Sequence, residues 1–166
     1  MRAAVGACRS RYAKRAGSRK QGWRWSLSEP LADGGATTPV EYVVGPAVEE
    51  DALNDLFGAS WPGHTPSDFA AVHRHSLDFV CAFEHGDLIG YVNLAWDGGV
   101  HAFLLDTTVH PRWRRRGVGR ELVHRAVEVA RAHGIQWLHV DYEPHLAGFY
   151  RACGFRPAEA GLIRLD

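Results

Sequence analysis

The sequence predicts an α/β (α+β) fold, with a central mixed, mostly antiparallel sheet that contains one parallel strand pair and has helices on its faces. Three observations lead there. Two apolar runs flank the turn-forming cluster Glu84-His85-Gly86-Asp87, which implies an antiparallel hairpin. A third apolar run, an Arg-rich loop, an amphipathic helix and a fourth run follow in the order that makes parallel neighbours through a right-handed crossover. The chain has 166 residues, 46% hydrophobic and 23% charged, which suits one domain with its own core.

Element by element, residues 1–38 are rich in Arg, Gly, Ser and Ala and have no sustained period, so a basic, disordered tail is expected, followed by a folded domain over 39–166. Val40 to Val44 reads as a strand. Val48 to Phe57 reads as a helix with Ala52, Leu53, Leu56 and Phe57 on one face. Trp61 to Pro66 is a loop, and Thr65 or Ser67 is expected to cap a second helix running to about His75, with Pro66 in its first turn. Leu77–Phe83 and Leu88–Trp96 are the hairpin strands, and Asp97-Gly98-Gly99 turns the chain into a strand over Ala102–Val109. Leu122, Val123, Ala126, Val127 and Ala130 stripe a helix that ends at Gly134. Ile135–Val140 is the next strand, Leu146–Ala152 a short helix, and Phe155 onward a final strand with Leu162, Ile163 and Leu165.

The net charge of zero hides an asymmetry. Eight of the 19 Lys and Arg residues and none of the 19 Asp and Glu residues lie in 1–28, so the remainder is acidic by eight charges. An acidic body with a local Arg cluster suits a phosphate-bearing ligand and a cationic substrate, and no nucleic-acid partner is expected. No apolar run reaches the roughly 18 residues of a membrane span, so no membrane partner is expected either. The three cysteines, Cys8, Cys81 and Cys153, form no Cys-x-x-Cys pair, which argues against a disulfide framework or zinc site and for a cytoplasmic setting. His139, Asp141 and Glu143 alternate along the expected strand, a pattern that pleating alone produces, and no metal is assigned.

Arg114-Arg115-Arg116-Gly117-Val118-Gly119-Arg120 joins a strand to a helix. Its glycines let a ligand approach the backbone, and the helix N-terminus presents unpaired N–H groups and a positive dipole end to an anion. The dinucleotide fingerprint would need a third glycine where Leu122 stands, and a P-loop would need a Gly-Lys-Ser/Thr sequence, whereas no lysine occurs after Lys20. The spacing Arg-x-x-Gly-x-Gly resembles the acyl-CoA motif of the GNAT superfamily of N-acyltransferases. The segment Phe149-Tyr150-Arg151-Ala152-Cys153-Gly154-Phe155 is similar to a second motif of that family, and the element order matches the GNAT fold over residues 40–166.

The resemblance implies acetyl-CoA as co-substrate and a primary amine, carried by a small molecule or a peptide, as acceptor. Backbone N–H groups from Arg115 to Arg120 would hold the pyrophosphate, with Arg114 leading in. Val109 and its neighbours would pair with the pantetheine arm, and the parallel strands containing Val109 and Val140 would splay to form the acyl slot. Tyr150 matches the general acid that protonates the leaving thiolate. Some family members place a Glu where this chain has Leu105, so that base is missing, whereas Asp106 matches a neighbouring acidic position and needs a β-bulge to turn toward the site.

Other candidates come from the residues themselves. Asp141 and His145 follow the splayed strand, and His145 is the better proton acceptor by intrinsic pKa. Trp96 and Asp97 could form an aromatic and acidic rim for a cationic amine. A non-catalytic acyl-CoA binding module and a nucleic-acid binder are the rival readings. A homodimer through the edge of the final strand is a further expectation.

Overall fold

A computed structural model describes residues 39–165; the reading of residues 1–38 as a basic tail lies outside them. Five strands form one sheet in sequence order: β1 (Glu41–Val44), β2 (Ser76–Glu84), β3 (Asp87–Trp96), β4 (His101–Val109) and β5 (Trp137–His139). The first three pairings are antiparallel and β4 pairs with β5 in parallel, as the turn at 84–87 and the strand–helix–strand order require.

The helices are α1 (Glu50–Ser60), α2 (Phe69–Arg74), α3 (Val118–Ala132) and α4 (Ala147–Ala152). Helix α2 begins later than expected. Asp68, rather than Thr65 or Ser67, caps it by accepting from Ala71 N–H at 2.7 Å, and Pro66 lies before the helix. No helix among the described residues is long and apolar enough to cross a membrane.

Strand alternation divides the core. On one face Val80, Ala82, Val92, Leu94 and Leu104 pack with Val118, Leu122, Val123 and Ala126 of α3. On the other, Cys81, Leu88 and Tyr91 pack with Leu53, Leu56 and Phe57 of α1 and Phe69 of α2. Leu122 and Val123 are fully buried, and each stabilises the fold by about 1.5–3 kcal/mol relative to an exposed position. Gly90 on β3 lets α3 come this close, because a Cβ there would stand 2.9 Å from Leu122 Cδ1 and 3.3 Å from the Thr108 carbonyl. Burial raises the Cys81 thiol to about 12, in keeping with a core cysteine.

The expected final strand does not form. Residues 155–165 have no strand structure, and Leu162, Ile163 and Leu165 are 84%, 81% and 92% exposed. Their apolar pattern resembles a strand, but β5 pairs over three residues only and no neighbouring ladder receives them. The dimer expected through that strand's edge therefore loses its structural basis. Strand β5 also ends at His139, so Asp141 and Glu143 follow the strand and do not share a pleated face with His139.

Candidate active site

The site is built around β4. Across the β3–β4 pairing Tyr91 faces Thr108 and Asn93 faces Leu105, so Val92 alone spans Asp106 and Thr107. This is the β-bulge that Asp106 needed. Asp106 sits at φ +55°, a left-handed conformation that Asp tolerates better than most residues. The bulge breaks the alternation, leaving Leu105 and Asp106 consecutively exposed.

Asp106 lines a cavity of about 410 Å³ together with Phe57 and Trp61 of the α1 end, His64, and Phe69 and Val72 of α2. Protein crowding around the carboxyl raises its pKa above the usual carboxylate range, although the residue keeps part of its surface in solvent. Beneath, the Tyr91 hydroxyl hydrogen-bonds His73 Nε2 at 2.9 Å. Burial, reinforced by the nearby Asp106 charge, pushes the Tyr91 phenol well up. Burial also holds the His73 imidazole below its usual value, against an opposing pull from Asp78.

Tyr150 approaches the bulge from the opposite face. It belongs to the α3-side core, is 5% exposed, and stacks on Tyr142 at 4.8 Å between ring centres. Burial raises its phenol above the ordinary value. Thr107 Oγ1, itself buried, lies close enough to offset part of that rise, although it falls short of hydrogen-bond geometry. Asp106 thus faces the α1–α2 cavity, while Tyr150 approaches the next β4 residue, Thr107, from the α3 side.

Pairing between β4 and β5 stops at Phe103 with His139, while β4 continues to Val109. The parallel strands therefore part as expected, leaving a gap beside the bulge. At the far end of β4, Pro111–Trp113 make one 3-10 turn, pinned by Trp113 Nε1 donating to Glu84 Oε2. The Arg-rich loop follows. Gly117 caps α3 at φ +85° with no side-chain cap, and the first intrahelical bond runs from Glu121 N to the Gly117 carbonyl. The N–H groups of Val118, Gly119 and Arg120 precede that bond and so have no partner four residues back. Space is open where a Cβ of Gly117 would stand. These features fit a pyrophosphate.

The arginines divide their tasks. Arg115 and Arg116 are exposed, with Arg115 at φ +62°. The Arg114 side chain, expected to lead toward the anion, instead donates from Nε to the Val109 carbonyl at 3.1 Å and from its terminal NH2 to the Ser60 carbonyl at 3.2 Å. Arg120 likewise donates to the Ala152 carbonyl at 3.1 Å and closes the C-terminus of α4. The Val109 carbonyl is already engaged by Arg114, with Ser60 Oγ a longer 3.5 Å away.

Four expected site residues fall outside this geometry. Asp97 Oδ1 accepts from Gly99 N–H at 2.7 Å and His101 N–H at 3.3 Å, and the Gly99 bond foremost holds the carboxyl below its usual range. The carboxylate builds its own turn rather than a substrate rim. Trp96, Asp141 and His145 are exposed and are absent from the cavity lining. Burial raises the Cys153 thiol, with Arg120 opposing, which makes it a poor nucleophile. Among the described residues no three His, Cys, Asp or Glu side chains gather around a cation position.

The sequence alone assigns no site role to Phe57, Trp61, His64, Phe69, His73, Tyr91 or Thr107. The segment over 57–76 carries no motif, and its aromatics read as core or loop. The aromatic residues clustered before and after Pro62-Gly63 were the signal available.

An N-acyltransferase architecture is what this bulged strand, strand gap and uncapped helix N-terminus define, and the acetyltransferase (GNAT) family model matches residues 48–155. The chain belongs to that family. Serotonin N-acetyltransferase 2, chloroplastic, of Oryza sativa subsp. japonica is 28% identical over 109 residues, covering 63% of this chain and 54% of that protein. The chain spans about half the length of the first curated relatives it matches. An acetyltransferase of the GNAT family from Streptococcus pneumoniae TIGR4 shares the fold with a TM-score of 0.65 at 23% identity, over 77% of this chain and 98% of that one. AAC(6')-Iy in complex with a CoA bisubstrate analog superposes with a TM-score of 0.64 at 19% identity, over 78% and 99%.

Proposed function

We propose that this chain is an acetyl-CoA-dependent N-acetyltransferase that acetylates a primary amine by direct attack in a ternary complex. The observation that carries the reading is the convergence at the β4 bulge of a cavity-facing carboxylate, Asp106, and a buried phenol, Tyr150, beside a strand gap and an open helix N-terminus.

The N–H groups opening α3, with Arg115 and Arg116, would hold the pyrophosphate of acetyl-CoA, whose thioester supplies the activated acetyl group. Arg114 and Arg120 act as braces, fixing the loop to Ser60, Val109 and α4. Asp106 anchors the amine and, through water, accepts a proton from its ammonium form. The amine lone pair then forms the C–N bond as the C–S bond breaks. Tyr150, whose raised pKa keeps it protonated, donates to the departing sulfur.

The test is calorimetric titration of the full chain with acetyl-CoA and with CoA, followed by thiol release with amines. Saturable binding is expected. Gly117→Glu, which strains a left-handed position and places a negative charge at the anion site, should abolish it, and Arg116→Glu should weaken it without touching the backbone. Absence of binding at millimolar ligand, or unchanged affinity in both folded variants, refutes the reading.

A further inference from the structure

We propose that the cavity between α1, α2 and Asp106 selects an amine with a single cationic group on a flat, apolar body, an arylalkylamine in chemical class; this rests on the N-acetyltransferase reading above. The walls are aromatic before any ligand arrives. Phe57 packs at 4.9 Å from Phe69 and 5.6 Å from His64, and stacks with Trp61 at 6.4 Å. Its volume, about 410 Å³, lies within the roughly 300–1,000 Å³ of small-molecule sites.

The polar groups around the cavity are largely engaged with one another. Asn54 Oδ1 holds both His64 Nε2 and Ser67 N–H at 2.9 Å. Trp61 Nε1 donates to Thr108 Oγ1 at 2.9 Å, and Ser67 Oγ to the Thr65 carbonyl at 3.3 Å. An amino sugar entering here would find few free polar partners for its hydroxyls in the lining, so the site offers it little specific recognition. A phosphate would meet a carboxylate and no Lys or Arg in the lining, and a polycation would find one acid. Asp106 against aromatic faces matches one ammonium group with an apolar tail.

The reaction balances as an ammonium plus acetyl thioester giving the N-acetyl amide, free thiol and one proton. The C–N bond replaces the C–S bond; one ammonium proton leaves through water toward Asp106 and on to solvent, a proton from Tyr150 reaches the sulfur, and the second nitrogen proton, lost after attack, restores the Tyr150 phenol through water.

The experiment measures kcat/KM by thiol release for the full chain with acetyl-CoA and four acceptors: tryptamine, glucosamine 6-phosphate, neamine and a tripeptide with a free N-terminus. Tryptamine is expected to lead the others by roughly 100-fold. Trp61→Ala should raise its KM about tenfold while the calorimetric affinity for acetyl-CoA stays in place. If acetyl-CoA binds and the sugar, neamine or peptide is preferred, the substrate proposal falls and the N-acetyltransferase reading stands. If acetyl-CoA does not bind, or binds and no amine is acetylated, both fall. Should Trp61→Ala fail to fold, the acceptor ranking decides alone.

Discussion

Trp61 Nε1 donates to Thr108 Oγ1 at 2.9 Å, joining the residue that ends α1 to the β4 residue two positions beyond Asp106. Arg114 adds bonds to Ser60 and Val109 at the same junction. The cavity beside Asp106 and the Arg-rich loop are therefore both fastened to the same end of β4.

Gly90→Ala should destabilise the fold without altering the ionisable groups of the site. The added methyl meets Leu122 at 2.9 Å and the Thr108 backbone and Val118 at 3.3 Å, all buried, so relief requires the packed core to shift. A loss of about 1–3 kcal/mol is expected from overpacking, read from urea midpoints at constant m-value.

Tyr150→Phe keeps the ring packed on Tyr142 and removes only the hydroxyl. Turnover at saturating substrates should fall roughly 100-fold with the affinity for acetyl-CoA unchanged. Unaltered kcat would remove Tyr150 from the chemistry.

In the proposed reaction Asp106 anchors the amine in its ionised form, and its pKa lies above the usual carboxylate value because its carboxyl is desolvated. The kcat/KM profile should therefore rise with pH through an ionisation higher than that of an ordinary aspartate. Asp106→Asn should erase this acid limb and lower kcat/KM roughly 100-fold. A limb that persists in the variant belongs to another group.

His73 should make stability depend on pH on the acid side. Burial lowers its folded-state pKa below the 6.5 of the unfolded chain, so unfolding takes up a proton between the two values. Stability contributed by the neutral imidazole is complete above 6.5 and is lost as pH falls toward the folded pKa. His73→Gln should flatten the fall in Tm between pH 7 and 5; an identical slope in both proteins would show that His73 does not contribute.

The parts of the site legible in sequence are those governed by local backbone rules. Gly117 just before and Gly119 just inside an amphipathic helix announce an open N-terminus, and the element order gives the sheet. The Asp106 bulge was reachable only through family resemblance, since strand alternation alone puts Asp106 and Leu105 on opposite faces. The Tyr91–His73 bond and the side-chain braces of Arg114 and Arg120 are tertiary contacts between segments with no fixed spacing. Leu162 and Ile163 misled for the converse reason, since a strand-like pattern needs a ladder to join. Asp97 misled because an acid in a turn serves its own backbone first.

The brevity of β5 has a consequence for engineering. Its three paired residues leave part of a ladder unbuilt, and an obvious stabilising design would lengthen that pairing past Phe103 and His139. Such a sheet would gain hydrogen bonds and close the space that the proposed reaction gives to the acyl group. On that proposal thermostability and catalysis compete for the same few peptide groups, so screens for hardier variants should leave this seam untouched and look for gains elsewhere.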